Sequence, residues 1–326
     1  MTFTIRLRNI VSALVCSIAA VAVQADDPGL SFHRADDRIV ILNGKHAVSE
    51  YVFADPSVPR PYLVNVKTLD GIQVTRNHPV QAGDDQDHPH HTGIFFTFGD
   101  LNGIDFWHLK GRVIHERFSY GPAIEDGGVV IASDTRYETL DGSKVLATES
   151  ATLVAQRTAA GVLYRFRHEL TPKEEPLRIG SKEEGGLAVR VATPIAISSN
   201  AGGRMIDADG RSGGAAIWGQ QTNWVDYSGT IRGRHVGVLI VPHVRNFSRC
   251  WWHARDYGLL AGNPFGPLNE KGRVKVVPRD ETLTLVYDVL IHSSATVDTF
   301  DVSAAAATLI AVQNETRLED SPGDSQ

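Results

Sequence analysis

Turn dipeptides divide this chain into strand-length runs of β-branched and aromatic residues, and a helical period almost never intervenes. Arg38 to Leu42 runs into Asn43-Gly44, and Tyr62 to Val66 is followed by Asp70-Gly71. Further strand candidates are Ile94 to Phe98, Val113 to Phe118, Val129 to Ser133, Ser143 to Gln156, Val162 to Leu170, Leu187 to Thr193, His235 to Pro242 and Thr282 to His292. In Val162 to Leu170, Tyr164, Phe166 and His168 share one face while Arg165 and Arg167 share the other. Thr282 to His292 is more continuously apolar, as a strand near the centre of a large sheet should be. The one persuasive helix is Asp298 to Gln313, where Val302, Ala305, Leu309 and Val312 recur at helical spacing. The expected fold is therefore mainly β: a large antiparallel β-sandwich, as a single domain over 26–314, closed by a short C-terminal helix and followed by an acidic tail over 315–326.

The first twenty-five residues have the parts of a secretory signal: Arg6 and Arg8, the apolar run from Ile10 to Val23, and small residues before a cleavage point after Ala25. The expected destination is the periplasm or the extracellular space. Val15 before Cys16 is a poor match to a lipoprotein site. Losing Arg6 and Arg8 deepens the formal charge from −6 to −8, which gives no electrostatic reason to bind nucleic acid or anionic lipid. Only Cys250 then remains, so no intramolecular disulfide forms and the core must hold the fold. No membrane insertion of the chain after Ala25 is expected. The glycine pairs at Gly202-Gly203 and Gly213-Gly214 lack the context of a phosphate-binding loop, so no nucleotide cofactor is expected.

Five of the thirteen histidines fall between Asp87 and His115. Imidazole ligates metals and transfers protons near neutral pH, so this density marks the best candidate for an active site. Pro89 biases His88 toward extended backbone, which would project His88 and His90 one way and His91 the other. Three readings are open: a divalent ion on His88, His90 and Asp87; acid–base or sugar-binding work without metal; or a structural loop. Asn102 to His108 interleaves Asn102 and Asp105 with Phe106 and Trp107, a mixture that suits the apolar faces and hydroxyl edges of sugar rings, although either ring alone is also an ordinary core residue.

A third constellation is Cys250 to Gly258, continuing to Asn263-Pro264-Phe265-Gly266. In an extended backbone Trp251, His253 and Arg255 take one face and Trp252 and Ala254 the other. Arg255 suits a substrate carboxylate or a developing oxyanion, or else a structural ion pair with Asp256 or Asp226. His90, His91, His253 and Arg255 are the candidate catalytic residues; Arg76, Asn102, Asp105, Trp107, Trp252 and Asn263 are the candidate substrate-binding residues. His91, His253 and Arg255 are expected to meet in one aromatic-lined cleft. Glu183 and Glu184, before Gly185-Gly186, read more readily as solvated surface than as carboxylate acids, and Cys250 reads as a buried apolar residue.

The order Arg60-Pro61-Tyr62, Thr75-Arg76, Asp87-His88-Pro89-His90-His91-Thr92-Gly93, Asn102-Gly103-Ile104-Asp105-Phe106-Trp107, Asp226-Tyr227-Ser228-Gly229 and Trp252 through Gly266 resembles the exported bacterial family labelled PmoA-like, a domain of unknown function. The resemblance runs over nearly the whole chain after Ala25. The label alludes to a methane-oxidising membrane enzyme, but the chain after Ala25 has no apolar run to match such a subunit. The strand pattern is also similar, at the level of fold, to the galactose-mutarotase-type super-sandwich used by sugar epimerases, polysaccharide lyases and related hydrolases, which implies sugar chemistry without naming a reaction. Two functions are weighed. One is an exported carbohydrate-active enzyme performing proton transfer on a sugar or glycoside, lyase or hydrolase ahead of epimerase. The other is a non-catalytic carbohydrate-binding or surface-associated module.

Overall fold

The computed structural model of the chain describes residues 29–319. The signal segment with its cleavage point, Cys16 and the end of the acidic tail lie outside the described residues. Two eight-stranded antiparallel sheets face each other. The first runs, in spatial order, Leu30–Arg34, Arg38–Asn43, His46–Val52, Tyr62–Val64, Ile94–Phe98, Gly185–Arg190, Leu259–Asn263 and Trp251–Arg255. The second runs Arg204–Asp207, Val225–Ile231, Arg234–Pro242, Leu283–Ser294, Gly161–Pro172, Val145–Thr158, Gly128–Thr139 and Gly111–Glu125. A two-stranded ribbon pairs Leu177–Gly180 with Val274–Val277. Among the described residues no helix is long and apolar enough to cross a membrane.

The main core lies between the sheets and is built from alternate residues of each strand: Ile39 and Ile41, Phe96 and Phe98, Tyr164 and Phe166, Leu285, Tyr287 and Val289. The strand Leu283–Ser294 lies in the middle of its sheet, as its continuous apolar run predicts. Its second face is also covered. The helix Val302–Glu319 places Val302, Ala306 and Leu309 against Leu163, Leu239 and Leu290. Under this helix Arg165 makes a paired contact with Asp288 at 2.6 and 2.8 Å, and Gln313 donates to the same carboxylate at 2.9 Å. The helix continues to Glu319, past Asn314 where the apolar pattern ends. Two strands stop earlier than their residue types suggest. Asn65, at φ 53°, leaves the sheet after Val64, and Pro194 turns the chain into a short 3-10 helix at Thr193–Ile195 after the strand has ended at Arg190.

Register across the first sheet decides where the chemistry sits. Tyr62 lies opposite Phe95, Phe95 opposite Ala188, Ala188 opposite Ala261, and Ala261 opposite His253. Directly opposed residues share a face, so these five side chains form one row. That row is on the outer face of the sheet, away from the main core; Trp252 and Ala254 alternate to the inside. The two alanines in the middle of the row leave a trough, into which Trp107 packs with Phe95, Ala188 and Ala261 as a second apolar cluster.

Candidate functional site

The histidine segment is a turn rather than an extended run. The amide of His91 donates to the carbonyl of His88 at 2.9 Å, Pro89 occupies the second position of the turn, and His88 adopts a positive φ of 42°. The expected projection of His88 and His90 to one side with His91 opposed is therefore wrong: closing the turn gathers all three rings. His88 stacks on His91 with centroids 4.9 Å apart and planes 5° apart, and His90 meets His91 edge-on at 4.4 Å. At the exit of the loop Gly93, φ 70°, crosses so close to the carbonyl of Leu63 that no side chain fits.

A loop without ladder partners must still satisfy its carbonyls, and here two buried guanidiniums do so. Arg76 donates to the carbonyls of Asp85, Asp87, His88 and His91 at 3.0, 2.6, 2.7 and 3.1 Å, and to the Asp87 carboxylate at 3.0 Å. Arg60 donates to the carbonyls of Trp107 and His90, which ties the histidine turn to the aromatic segment. Arg76, expected to contact substrate, is enclosed by the loop it holds and acts as a positioning residue.

Trp107 is buried, and its indole N–H donates to Nε2 of His91 at 3.1 Å. That bond makes Nε2 the acceptor and leaves the proton of the neutral ring on Nδ1. Burial drives the His91 imidazole far below its ordinary range. At 2 % exposure with Nε2 occupied, His91 has no free face for a substrate. Trp107 likewise belongs to the apolar cluster under the site rather than to its surface. Next along the row, His253 lies 6.0 Å from Trp107, centroid to centroid. Burial pushes His253 down to about 4, against the opposing charge of Glu183. The Nε–H of Arg255 donates to its Nε2 at 3.1 Å.

Arg255 then reaches Glu183, which accepts its Nη2–H at 2.6 Å and the indole N–H of Trp218 at 2.8 Å. Arg255 also lies over the Trp218 ring, 5.6 Å from its centroid. Asn263 is buried and donates to the carbonyl of Lys182 at 2.8 Å while accepting from the amide of Phe265 at 2.9 Å, so it positions the Glu183 loop. Beside Glu183, the carboxyl of Glu184 is raised by burial and by the Glu183 charge.

The open side of the site carries two aspartate–histidine dyads. Nδ1 of His88 pairs with Asp87 at 2.7 Å, and Nδ1 of His108 pairs with Asp105 at 2.8 Å. His90 lies between them, its ring 5.9 Å from His88 and 4.9 Å from His108. Burial, followed by the charges of His108 and Arg60, takes His90 down to about 3. The His88 and His108 side chains are 40 % and 42 % exposed, so both rings are open to solvent in part. Tyr257 stacks on His88 at 4.9 Å, and Arg190 lies over Tyr257 while donating to Asp87 at 2.7 Å.

His91 and His253 thus flank Trp107, although 161 positions lie between them in the sequence, and Arg255 joins them through His253. Two expected substrate contacts lie elsewhere. Trp252 is fully buried in the main core with its N–H on the carbonyl of Thr222, because strand alternation turns it inward. The amide of Asn102 donates to the carbonyl of Pro176 and accepts from the amide of Arg178, which anchors the Leu177–Gly180 ribbon. Glu183, Trp218, Tyr257, Arg190, Arg60 and His108 complete the site with Asp105; none of these six is among the catalytic or substrate-binding candidates read from sequence, where Glu183 reads more readily as solvated surface. Among the described residues no group of three or more His, Cys, Asp or Glu side chains is placed to hold a metal ion.

No curated protein matches the chain. Among solved structures, a galactose mutarotase-like protein from Clostridium acetobutylicum is 10% identical over 81% of this chain and 95% of its own, with a TM-score of 0.36. Heparan sulfate lyase HepC from Pedobacter heparinus is 9% identical over 85% of this chain and 37% of its own, with a TM-score of 0.34. A glycoside hydrolase family 97 enzyme in complex with panose, from Pseudoalteromonas sp. strain K8, is 10% identical over 82% of this chain and 34% of its own, also with a TM-score of 0.34. The chain spans about a third of the length of the latter two. The model of a family of unknown function, DUF6807, matches residues 38–307, and the chain belongs to that family.

Proposed function

We propose that this protein is an exported carbohydrate-active enzyme that transfers protons on a sugar or glycoside, as a lyase or hydrolase ahead of an epimerase. The observation that carries the reading is the pair of dyads, Asp87–His88 and Asp105–His108, set at one rim with His90 between them. A carboxylate on Nδ1 orients each ring and leaves Nε2 to accept a proton in the neutral form or to deliver one in the charged form. Two such groups at one rim supply a base and an acid. Trp218 offers a ring for the C–H surface of a sugar, and the Arg255–Glu183 pair offers a donor and an acceptor for its polar edge. His91 and His253 are buried behind these groups, and His90 is half-buried between the dyads.

The test is incubation of the purified protein with a panel of oligosaccharides in deuterated buffer, followed by NMR for bond cleavage or C–H exchange. His88→Gln and His108→Gln should each lower turnover by about a hundredfold or more, with sugar binding kept. Saturable binding with unchanged ligand supports the alternative, a carbohydrate-binding module on the same surface. Unchanged turnover in both variants overturns the assignment of the dyads. Export is part of the proposal and rests on the Arg6 to Ala25 pattern. Protein recovered from its host should begin at Asp26, and exported material beginning at Met1 refutes it.

A further inference from the structure

Glu184 stands at the end of the strand Ile94–Phe98, across from Gly99, whose amide donates to its carbonyl at 2.8 Å. A Cβ on Gly99 would come within 2.9 Å of the Cβ of Glu184 and 3.2 Å of that of Lys182, so the bare glycine leaves the glutamate its place. The same strand end carries the segment of the second dyad. The amide of Trp107 donates to the carbonyl of Phe98 at 2.9 Å, and that of Leu101 to the carbonyl of Ile104 at 2.9 Å. Glu184 is thereby set beside Glu183 and close to the Asp105–His108 dyad, and the charges acting on its carboxyl are those of Glu183, His108 and Asp105.

The three neighbouring carboxylates are all held. Asp87 meets Arg76, Arg190 and His88; Asp105 meets the ring and the amide of His108; Glu183 meets Arg255 and Trp218. Glu184 differs from them. Its carboxyl accepts from its own backbone amide, and among the described residues no other donor reaches it; Lys182, two positions back, makes no ion pair with it. The side chain is half-buried, so it is neither enclosed nor freely solvated. A carboxyl that lacks a cation, sits partly out of water and lies next to a carboxylate keeps its proton more readily than its neighbours do.

We propose that Glu184 is the general acid of this site, the group that gives its proton to the glycosidic oxygen as the C–O bond breaks. The inference rests on the reading of the histidine face as a carbohydrate lyase or hydrolase. The electron pair of the breaking bond goes to the leaving oxygen, which takes the carboxyl proton and departs as an alcohol. One of the dyads takes a proton at Nε2, from the attacking water in hydrolysis or from the ring carbon in elimination. Exchange with solvent then returns a proton to Glu184 and removes one from the imidazole. Glu183, held by Arg255 and Trp218, is the fixed charge that favours the proton on its neighbour.

Turnover is measured on the oligosaccharide panel and on the same sugars carrying dinitrophenolate as the leaving group, which departs without a proton. Glu184→Gln keeps the shape and removes the acid. It should slow the oligosaccharides by about a hundredfold or more and leave the dinitrophenyl compounds nearly unchanged. In the unaltered protein turnover should fall as the pH rises through the Glu184 titration, because the protonated form is the active one, and the variant should lose that limb. A carbon NMR titration of protein labelled at its glutamate carboxyls supplies a readout that needs no sugar: the resonance missing from Glu184→Gln should titrate above the ordinary glutamate value. Titration at or below that value overturns the assignment of Glu184. So does equal slowing of both substrate sets, which marks a structural role, or full turnover of the oligosaccharides in the variant. Absence of turnover by the unaltered protein on every sugar overturns the functional reading, and the inference with it.

Discussion

The indole N–H of Trp107 donates to Nε2 of His91 across 3.1 Å, a direct bond from the aromatic segment to the histidine turn beside the bridge made by Arg60. Replacing Trp107 with Phe leaves a buried imidazole nitrogen without its donor. The expected cost is about 1–3 kcal/mol of stability, in addition to the lost ring volume. A double-mutant cycle with His91→Leu, read by urea unfolding, isolates the bond, and additive losses in the cycle contradict it.

Arg255 bridges His253 and Glu183 with its side chain 37 % exposed. Arg255→Met should slow turnover of an identified sugar substrate by about a hundredfold or more while the fold is kept. Full activity in the variant, with an unchanged circular dichroism spectrum, removes Arg255 from the mechanism.

Burial holds His243 and His253 at about 4, against about 6.5 in an unfolded chain. Between those values the unfolded chain takes up protons that the folded chain refuses. Stability present above pH 6.5 is therefore lost as the pH falls toward 4, by up to about 2 kcal/mol for each group between pH 6.5 and 5. Urea midpoints should be lower at pH 5 than at pH 7.5, and His243→Asn should shrink the difference. Equal midpoints at the two pH values contradict the prediction.

A divalent ion at His88, His90 and Asp87 remains a separate proposal, supported by the proximity of the two rings and by the unpartnered Nε2 of His90. In competition with it, both oxygens of Asp87 already meet Arg76, Arg190 and His88. Elemental analysis of gently purified protein, beside a His88→Ala/His90→Ala variant, decides the matter. Metal retained only by the unaltered protein supports the ion, and equal negligible content in both removes it.

Local pattern was enough to establish the sandwich. Alternation and turn dipeptides are read along the chain itself, so Ile94 to Phe98 and the long central strand ending in His292 are legible without any partner. The same alternation rule assigned Trp251, His253 and Arg255 to one face. It also contained the correction for Trp252, since its opposite face had to meet the second sheet. The identities of the site's chemical groups were legible too, in the density of histidine around Asp87 and in the ring-rich segment ending at Gly258.

Only the tertiary structure decided what each group does, because that depends on contacts between segments far apart in the chain. Sheet register placed His253 in the row with Ala188 and Ala261, and that row gave Trp107 room to reach His91. The His88 turn is held by Arg76, Arg60 and Arg190, whose donors reach carbonyls and a carboxylate that no local period announces. Glu183 reads as solvated surface until Arg255 and Trp218, both distant in sequence, are brought to its carboxylate. A residue type carries the capacity for acid–base chemistry, but burial and partners decide whether it is used. For this chain both are set by the packing of loops onto the outer face of one sheet.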